Sequence, residues 1–505
     1  AKDNVLRGIN PEYLAYYEKV TTFLQEKYPE KFADKFVTFL DMCEGPHVEN
    51  TKFIDVKQFK LDKLAGAYWK GDANNVMMTR IYAHAFENKQ QLQEHIAFLE
   101  EAKKRDHRTL GQKLKIFTMS PLIGSGLPLL QPNGMVIRQE VENYLWELHR
   151  TRGYDRVRTP HIAKISLYET SGHAAKFGDE LFKVKGKEED FIMKPMNCPH
   201  HMQIFADNQF SYRDMPIRYF EPATVYRDEK TGQLSGLTRV RSITQDDGHL
   251  FCRVDQIKDE VKTITDIIKE FYGTMGMLGS YWVSLSVRGD DKSKYLGEDK
   301  VWEIAEASLE EAAKLNDLPY KRVEGEAAFY GPKLDFMFKD CLGRERQLAT
   351  IQCDFNLPER FKLEFTNQDG EKERPVVIHR AIAGSLERFM GIMIEHFAGA
   401  FPVWMAPTQV KIIPVAEPFN DYAQGLKQKL QSFNIRAKVD TSSDSFSKKI
   451  RNGELEKIPY LLIVGQQELD NNSVNYRAYK DKKQEEMKFG LFVDKIVKER
   501  DCRSL

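Results

Sequence analysis

No cysteine pair with C-x-x-C spacing occurs in the 505 residues, and the six cysteines (Cys43, Cys198, Cys252, Cys341, Cys353 and Cys502) lie far apart. This excludes a disulfide framework and a paired-cysteine zinc ribbon, and points to a reducing, cytoplasmic setting. No long uncharged apolar run is present, so no membrane span is expected. The opening stretch, AKDNVLRGINPEYLAYY, lacks the apolar core of a secretory leader. There is also no excess of charge: 75 Lys and Arg balance 75 Asp and Glu, so any contact with a polyanion must be local. Repeats, low-complexity tracts and proline-rich linkers are missing as well, and boundaries must be read from changes of pattern.

What is there is the profile of a globular enzyme, with 41% hydrophobic and 30% charged residues and a mean hydropathy of -0.53. A chain of this length implies about three domains. Residues 88–110 (NKQQLQEHIAFLEEAKKRDHRTL) contain no Pro and a single Gly-free run of helix formers with Leu92, Ile96 and Leu99 on one face, which reads as a connecting helix after an N-terminal region, 1–87. Residues 111–403 mix strands and helices, with β-rich runs at Ile217–Val225 and Leu237–Ile243, and suggest an antiparallel sheet carrying a site. From 404 to 505, QVKIIPV, a helical run at Ala423–Phe433, IRAKVD, a helix near Phe446–Leu455 and YLLIVG alternate strand with helix, the pattern of a small doubly wound α/β domain. This last part is mildly basic, with 18 Lys and Arg against 14 Asp and Glu.

Three segments carry chemistry in order. YDRVRTPHIAKISLYETSGH places Pro160 between strand-like and helix-like runs. YFEPATVYRDEKTGQLSGLTRVRSITQDDGHLF reads as two antiparallel strands and a loop. RAIAGSLERFMGIMIEHF reads as a strand entering a helix. Singly, each is ordinary, and Arg227, Glu229 and Arg239 alone would be a cross-strand ion-pair set. Together they resemble motifs 1, 2 and 3 of the class II aminoacyl-tRNA synthetases. The resemblance implies an α+β class II core on an antiparallel sheet, a homodimer formed around Pro160, and ATP delivered with Mg2+. It implies Arg227 on the α-phosphate, where negative charge builds up, Glu229 on the adenine amino group, Arg239 near the distal phosphates, and Arg388 over the adenine and on the γ-phosphate. Gly384 lets the backbone approach the nucleotide. Ile243 departs from the family, which has an aromatic residue there, so stacking on adenine should be weaker.

Within class II, the chain resembles the threonyl-tRNA synthetase family over nearly its whole length. MNCPHH, QDDGHLF and VVIHRAIAG supply Cys198, His249 and His379, one Cys and two His, which the resemblance makes zinc ligands with one position left open. His200 and His201 are nearer decoys beside Cys198. Threonine and valine share a shape, so an apolar pocket separates them by only about a hundredfold, whereas a site that demands the hydroxyl rejects its absence by on the order of 10⁴. The same resemblance implies that Asp247 accepts the hydroxyl proton, that Gln245 and Tyr330 complete contacts to hydroxyl and amine, that Lys333 (FYGPKLDF) and Gln352 (TIQCDF) sit on the threonine and ATP sides, and that His173 (YETSGH) takes a proton near the tRNA ribose.

Serine also carries a hydroxyl, so an editing site is expected. DMCEGPH supplies Cys43 and His47, the second half of the family's editing signature, but no histidine precedes His47. The region through 87 therefore resembles only the rear of an editing domain, and the chain as given is not expected to hydrolyse Ser-tRNA. The C-terminal part, 404–505, resembles the class IIa anticodon-binding domain, with Glu468 and Arg477 near the matching strand ends, where a solvated charge pair is an equal reading. The expected activity is a zinc-dependent threonine–tRNA ligase acting on threonine, ATP and tRNA(Thr). A prolyl or seryl relative shares the motifs without this Cys, His, His set, and a synthetase-like paralogue that binds RNA without charging it has no reason to keep them.

Overall fold

Runs rich in Val, Ile, Phe and Tyr alternate with amphipathic helices through most of this chain, and each finds the partner its period requires. The computed structural model describes residues 50–279 and 281–505 and parts of the stretch 18–32; Cys43 and His47 lie outside the described residues. The chain divides into two compact units, Ala1–Glu101 and Ala102–Leu505.

In the first unit, β1 (Phe59–Tyr68) and β2 (Met77–Ala85) form an antiparallel ribbon. The helix α1 (Lys89–Arg105) follows, with Leu92 buried. The single helix expected over 88–110 is in fact two. Asp106 leaves the helical path and its side chain accepts the Arg108 N–H, capping a second short helix, His107–Lys113, because Asp competes for backbone donors at a helix start.

The second unit, which takes in the short helix His107–Lys113 and then α2 (Pro132–Arg150), is organised by an eight-stranded sheet. Its strands in chain order are β3 (Asp155–Arg156), β4 (Ile217–Tyr226), β5 (Ser242–Cys252), β6 (Tyr281–Val287), β7 (Tyr320–Glu324), β8 (Lys333–Lys339), β9 (Glu345–Asp354) and β10 (Val376–Ser385). They lie in the order β7-β6-β8-β9-β10-β5-β4-β3. The interior pairings are antiparallel and only the two edge strands pair parallel, as the β-rich middle of the sequence leads one to expect.

Helices α2, α4 (Ile257–Thr274), α5 (Asp299–Leu315) and α6 (Leu386–His396) cover one face, burying Val141, Leu145, Ile264, Phe271, Leu309 and Phe389 against Phe220, Leu250, Phe336 and Ile378. The short α3 (Cys198–Ala206) stands at the other face.

One strand boundary differs from expectation. The run Leu237–Ile243 is mostly loop, and β5 begins at Ser242, because Gly236 at φ +50° and a bridge between Ser235 and Arg239 close a tight reversal first. Likewise β4 ends at Tyr226, so Arg227 and Glu229 lie beyond the strand and do not share a face by alternation.

The C-terminal domain has β11 (Val410–Pro414), β12 (Ala437–Val439), β13 (Tyr460–Val464), β14 (Ser473–Ala478) and β15 (Gln484–Lys488) in the order β12-β11-β13-β14-β15. Around them lie α7 (Asn420–Ser432), α8 (Phe446–Leu455), α9 (Gln466–Asn471) and α10 (Phe489–Asp501). The α/β alternation is as expected, but the sheet is mixed: β14 and β15 join by hairpin-like antiparallel pairing after the parallel core. No helix among the described residues is long and apolar enough to cross a membrane.

Strands β5 and β10 are locked on their helix-facing side. Asp246 accepts from Arg380 Nη1 at 2.8 Å and from the Ile382 and Ala383 N–H groups at 2.8 and 2.9 Å, all fully buried. The Arg380 guanidinium lies over the Tyr154 and Phe220 rings and directly against Gly248, where a Cβ would come within 2.5 Å of Nη2. Gly248→Ala is therefore expected to lower unfolding stability by about 1–3 kcal/mol through overpacking, read by urea denaturation. An unchanged midpoint would show that Arg380 has room to move.

Candidate active site

Register decides which side chains share the open face. Across the sheet, Lys333 on β8 faces Gln352 on β9, Gln352 faces His379 on β10, His379 faces His249 on β5, and His249 faces Tyr219 on β4. One step along, Asp335, Thr350, Ala381, Asp247 and Glu221 make the next row. Cross-strand neighbours and residues two apart point to one side, so five strands deliver a single polar surface. A bulge between Gln245 and Asp247 re-aims the β5 backbone beside Ser385. A cavity of about 490 Å³, the size of a small-ligand site, opens over this surface. It is lined by Arg227, Glu229, Arg239, Gln245, Asp247, His249, Tyr330, Gln352, His379 and Arg388, so most of the candidates distant in sequence meet here.

At its floor, Cys198, His249 and His379 are buried and their ligand atoms all lie within 4.8 Å of one another. Tetrahedral zinc with thiolate and imidazole ligands sets such separations at about 3.3–3.8 Å, so a small contraction would close the set around an ion. The surroundings fit a cation. Glu221 accepts from His201 Nε2 at 3.0 Å, which turns His201 Nδ1 into an acceptor for His249 Nδ1–H at 2.8 Å and leaves His249 Nε2 as the ligating atom. His379 Nε2 donates to the fully buried Asp354 at 2.8 Å, which leaves Nδ1.

Burial, with His379 and His201 nearby, holds His249 well below its usual pKa and hence neutral. Burial, with Asp247 and Asp354 nearby, pushes the Cys198 thiol up. Burial alone would raise Glu221 too, but His201, Lys194, Asn197 and the Thr159 N–H hold it at about 2. His201 thus lies outside the Cys198, His249 and His379 cluster and orients His249, with Glu221 orienting His201 and Asp354 orienting His379. Sequence reading missed all three roles, although Glu221 is legible as the hairpin partner of Asp247.

Asp247 carries an unmet need. Its Oδ2 is buried with no hydrogen-bond partner, and burial raises its pKa against the pull of His201, His379 and Arg380. A bound hydroxyl or ammonium donor would satisfy it. Close by, the Tyr330 hydroxyl donates to Gln352 Oε1 at 2.8 Å. Lys333 pairs with Asp335 at 2.5 Å.

The far end of the cavity is cationic. Arg227 lies over the Phe177 ring at 4.9 Å and donates to Met196 Sδ and the Pro195 carbonyl. Arg388 shares its surroundings with Arg346. Neither Arg227 nor Arg388 has a carboxylate ion-pair partner among the described residues, and burial depresses the pKa of both. Two uncompensated guanidinium groups make an anion site. Arg239, in the loop and not on the returning strand, pairs with Glu229. Ile243 and Gly384, the latter at φ +65°, line the same space.

His173 sits against Cys198, 1% exposed, with Nε2 3.7 Å from Cys198 Sγ and Nδ1 2.8 Å from Ser171 Oγ. Burial and His379 hold its pKa at about 3. In the C-terminal domain, Glu468 accepts from the Gly465 N–H at 2.8 Å at the start of α9, and Arg477 pairs with Glu454 at 2.8 Å. These two lie apart from the cavity.

The chain is similar to known proteins along most of its length. Residues 182–397 match the family described as tRNA synthetase class II core domain (G, H, P, S and T), 409–499 match an anticodon binding domain, and 31–82 match the threonyl and alanyl tRNA synthetase second additional domain. The threonine–tRNA ligase of Gloeobacter violaceus is 50% identical over 444 residues, 87% of this chain and 71% of that protein. That of Thermus thermophilus is 46% identical over 471 residues, 92% and 71%. Among solved structures, the RNA binding domain of threonyl-tRNA synthetase from Cryptosporidium parvum aligns with a TM-score of 0.74 at 34% identity, covering 78% of this chain and 98% of that one. A putative threonyl-tRNA synthetase from Aeropyrum pernix aligns at 0.68 and 30%, covering 79% and 97%.

The ligand geometry predicts one tightly held zinc per chain by metal analysis. Cys198→Ala should lose it, and His201→Ala should weaken it by about 10–100-fold through loss of the tautomer lock. Full zinc retention in Cys198→Ala would refute the site.

Proposed function

The chain belongs to the threonyl-tRNA synthetase family of class II synthetases, and from that premise we propose how its site selects and activates threonine. The activity is that of a threonine–tRNA ligase: the threonine carboxylate attacks the α-phosphorus of ATP, pyrophosphate leaves, and a terminal ribose hydroxyl of tRNA then attacks the adenylate carbonyl, releasing AMP. The finer assignments are our own.

The carrying observation is the unpartnered buried oxygen of Asp247 beside Cys198, His249 and His379. Cys198, His249 and His379 would hold a zinc ion, which would supply Lewis-acid coordination to the amino-acid end of the substrate. Asp247 accepts the threonine hydroxyl proton, and Gln245, Tyr330 and Lys333 orient the amine, hydroxyl and carboxylate end. Valine leaves Asp247 unsatisfied, so it is rejected.

ATP enters with Mg2+ toward the unpaired cations. Arg227 holds the α-phosphate as charge develops there, Arg388 and Arg239 hold the distal phosphates, Glu229 and Gln352 take the nucleoside side, and Gly384 admits the ring. For transfer we propose His173 as the proton acceptor: burial keeps its imidazole neutral, and its Nε2, 3.7 Å from Cys198 Sγ in this structure, must turn out into the cavity to reach the ribose. Arg477 and Glu468 mark the anticodon-facing end of residues 404–505, a domain that follows, in chain order, the editing-like region at 1–87, the connecting segment at 88–110 and the catalytic domain at 111–403. A homodimer is supported by apolar surface beside Pro160 in the chain: Ile162 is 40% and Ile165 41% exposed, surface that a second copy would cover. The setting we propose is the cytoplasm, in keeping with the free cysteines among the described residues.

Amino-acid-dependent ATP–pyrophosphate exchange tests the selection. Threonine should exceed valine by on the order of 10⁴, serine should be rejected far less, and Asp247→Ala should lower threonine activation by about 10–100-fold. Equal use of valine and threonine would sink the reading. For the second step, His173→Ala should keep exchange and bound metal while slowing transfer about a hundredfold, measured by single-turnover charging. Unaltered transfer would remove His173 from the mechanism.

A further inference from the structure

Helix α2 presents Glu140, Tyr144 and Glu147 at i, i+4 and i+7, one face of a 3.6-residue period. Two arginines of the C-terminal domain meet that face. Arg436, between α7 and β12, donates from Nη1 to Glu140 at 2.5 Å, from Nη2 to the Trp404 carbonyl at 2.7 Å and from Nε to the Ala406 carbonyl at 2.9 Å. Its backbone N–H goes to Gln409 Oε1 at 2.7 Å, and the fully buried Gln409 donates in turn to the Val403 carbonyl at 2.8 Å. The connection between the two domains is thus knitted to α2 by one planar fork and one amide. Arg503, beyond α10, lays its guanidinium 4.1 Å from the centre of the Tyr144 ring and pairs with Glu147. Tyr144 packs on Phe271 and, edge-on, against the buried Trp404.

The same helix reaches the ATP end of the site. Arg138, two residues before Glu140, bonds Glu142 at 2.8 Å and lies 3.7 Å from Glu387. Glu387 accepts the Thr244 N–H at 2.8 Å. Thr244 precedes Gln245 on β5, and Glu387 precedes Arg388.

We propose that α2, gripped by Arg436 and Arg503, is the beam that sets the distance between the anticodon-binding domain and the active-site sheet. Arg436, Arg503, Glu140 and Tyr144 are then positioning residues for attack by the tRNA end. The inference rests on residues 409–499 reading the anticodon. Domains joined by one linker move relative to each other unless something fixes them. An RNA held at both ends reaches the adenylate only when that distance is right, and a misplacement of about 1 Å costs on the order of a hundredfold. Arg436 suits the task because its rigid fork meets three acceptors at once, which a lysine cannot do. The exposed Arg503–Glu147 pair contributes little alone, and the cation over Tyr144 carries that contact.

The experiment uses the full chain with Glu140→Arg, Arg436→Glu, the double exchange, and Arg503→Ala. Three readouts are compared: threonine-dependent ATP–pyrophosphate exchange, charging of full-length tRNA(Thr), and charging of an acceptor-stem minihelix without an anticodon. The single charge reversals should leave exchange and minihelix charging within about twofold of the parent, lower kcat/KM for full-length tRNA about tenfold or more, and be rescued by the exchange. Arg503→Ala should shift the same ratio in the same direction. Unchanged charging of full-length tRNA, an equal fall with the minihelix, or no rescue in the double variant each overturns the proposal. If the parent chain charges minihelix and full-length tRNA equally well, the anticodon-binding premise fails instead, whatever the variants do.

Discussion

The buried pair of Asp246 and Arg380 is the constraint on which the site depends. In an antiparallel sheet a one-residue slip turns every side chain to the opposite face. Asp246 points to the helix side of β5 and takes Arg380 together with two backbone donors of β10, so these strands have one register that satisfies the buried charge. That register places Asp247 and His249 on the open face, opposite Ala381 and His379. Removing either charge would leave the other unpaired in the interior, a far larger loss than the pair's own attraction. The adjacent Gly248 belongs to the same device, because only a residue without Cβ leaves space for the guanidinium.

With the register fixed from behind, the front of the sheet is free to hold groups that are not satisfied by the protein. Glu221 and Asp354 each take an imidazole and orient it. Three kinds of incompleteness remain along one cavity: a cysteine and two histidines converging, one carboxylate oxygen without a donor, and two guanidinium groups without carboxylates. They call respectively for a cation, a hydroxyl or ammonium, and a polyphosphate. An amino acid and ATP are the pair of substrates that meets the second and third needs together, which is why the electrostatics and the family membership agree.

Helix α2 connects this surface to the C-terminal domain by geometry already required for packing. Its inner residues Val141, Leu145 and Leu148 belong to the core under the sheet, while the next face round carries Glu140 and Glu147 outward. A single helix therefore contacts the sheet, helix α6 through Arg138 and Glu387, and the domain that follows.

The sequence by itself determined the class of fold and the order of the domains, and named most of the residues that line the cavity. Alternation in β4 and β5, the strand entering α6, and the α/β alternation after residue 404 are local patterns, and the three motifs with Cys198, His249 and His379 named the residues before any coordinates. Local pattern erred where a turn overrode propensity: Leu237–Arg241 reads as strand but Gly236 and the Ser235 bridge hold it as loop, and Asp106 ends a helix that composition alone would continue. Only the tertiary structure decided what each group does in company. His201, a decoy by spacing, became the support of His249, because the Glu221 that orients it arrives from another strand. Arg239 came to pair with Glu229 while Arg227 and Arg388 stayed unpaired, and Arg436 and Arg503 found α2 some three hundred residues away. Pairing and burial depend on contacts between distant segments, and those energies have no local signature in the chain.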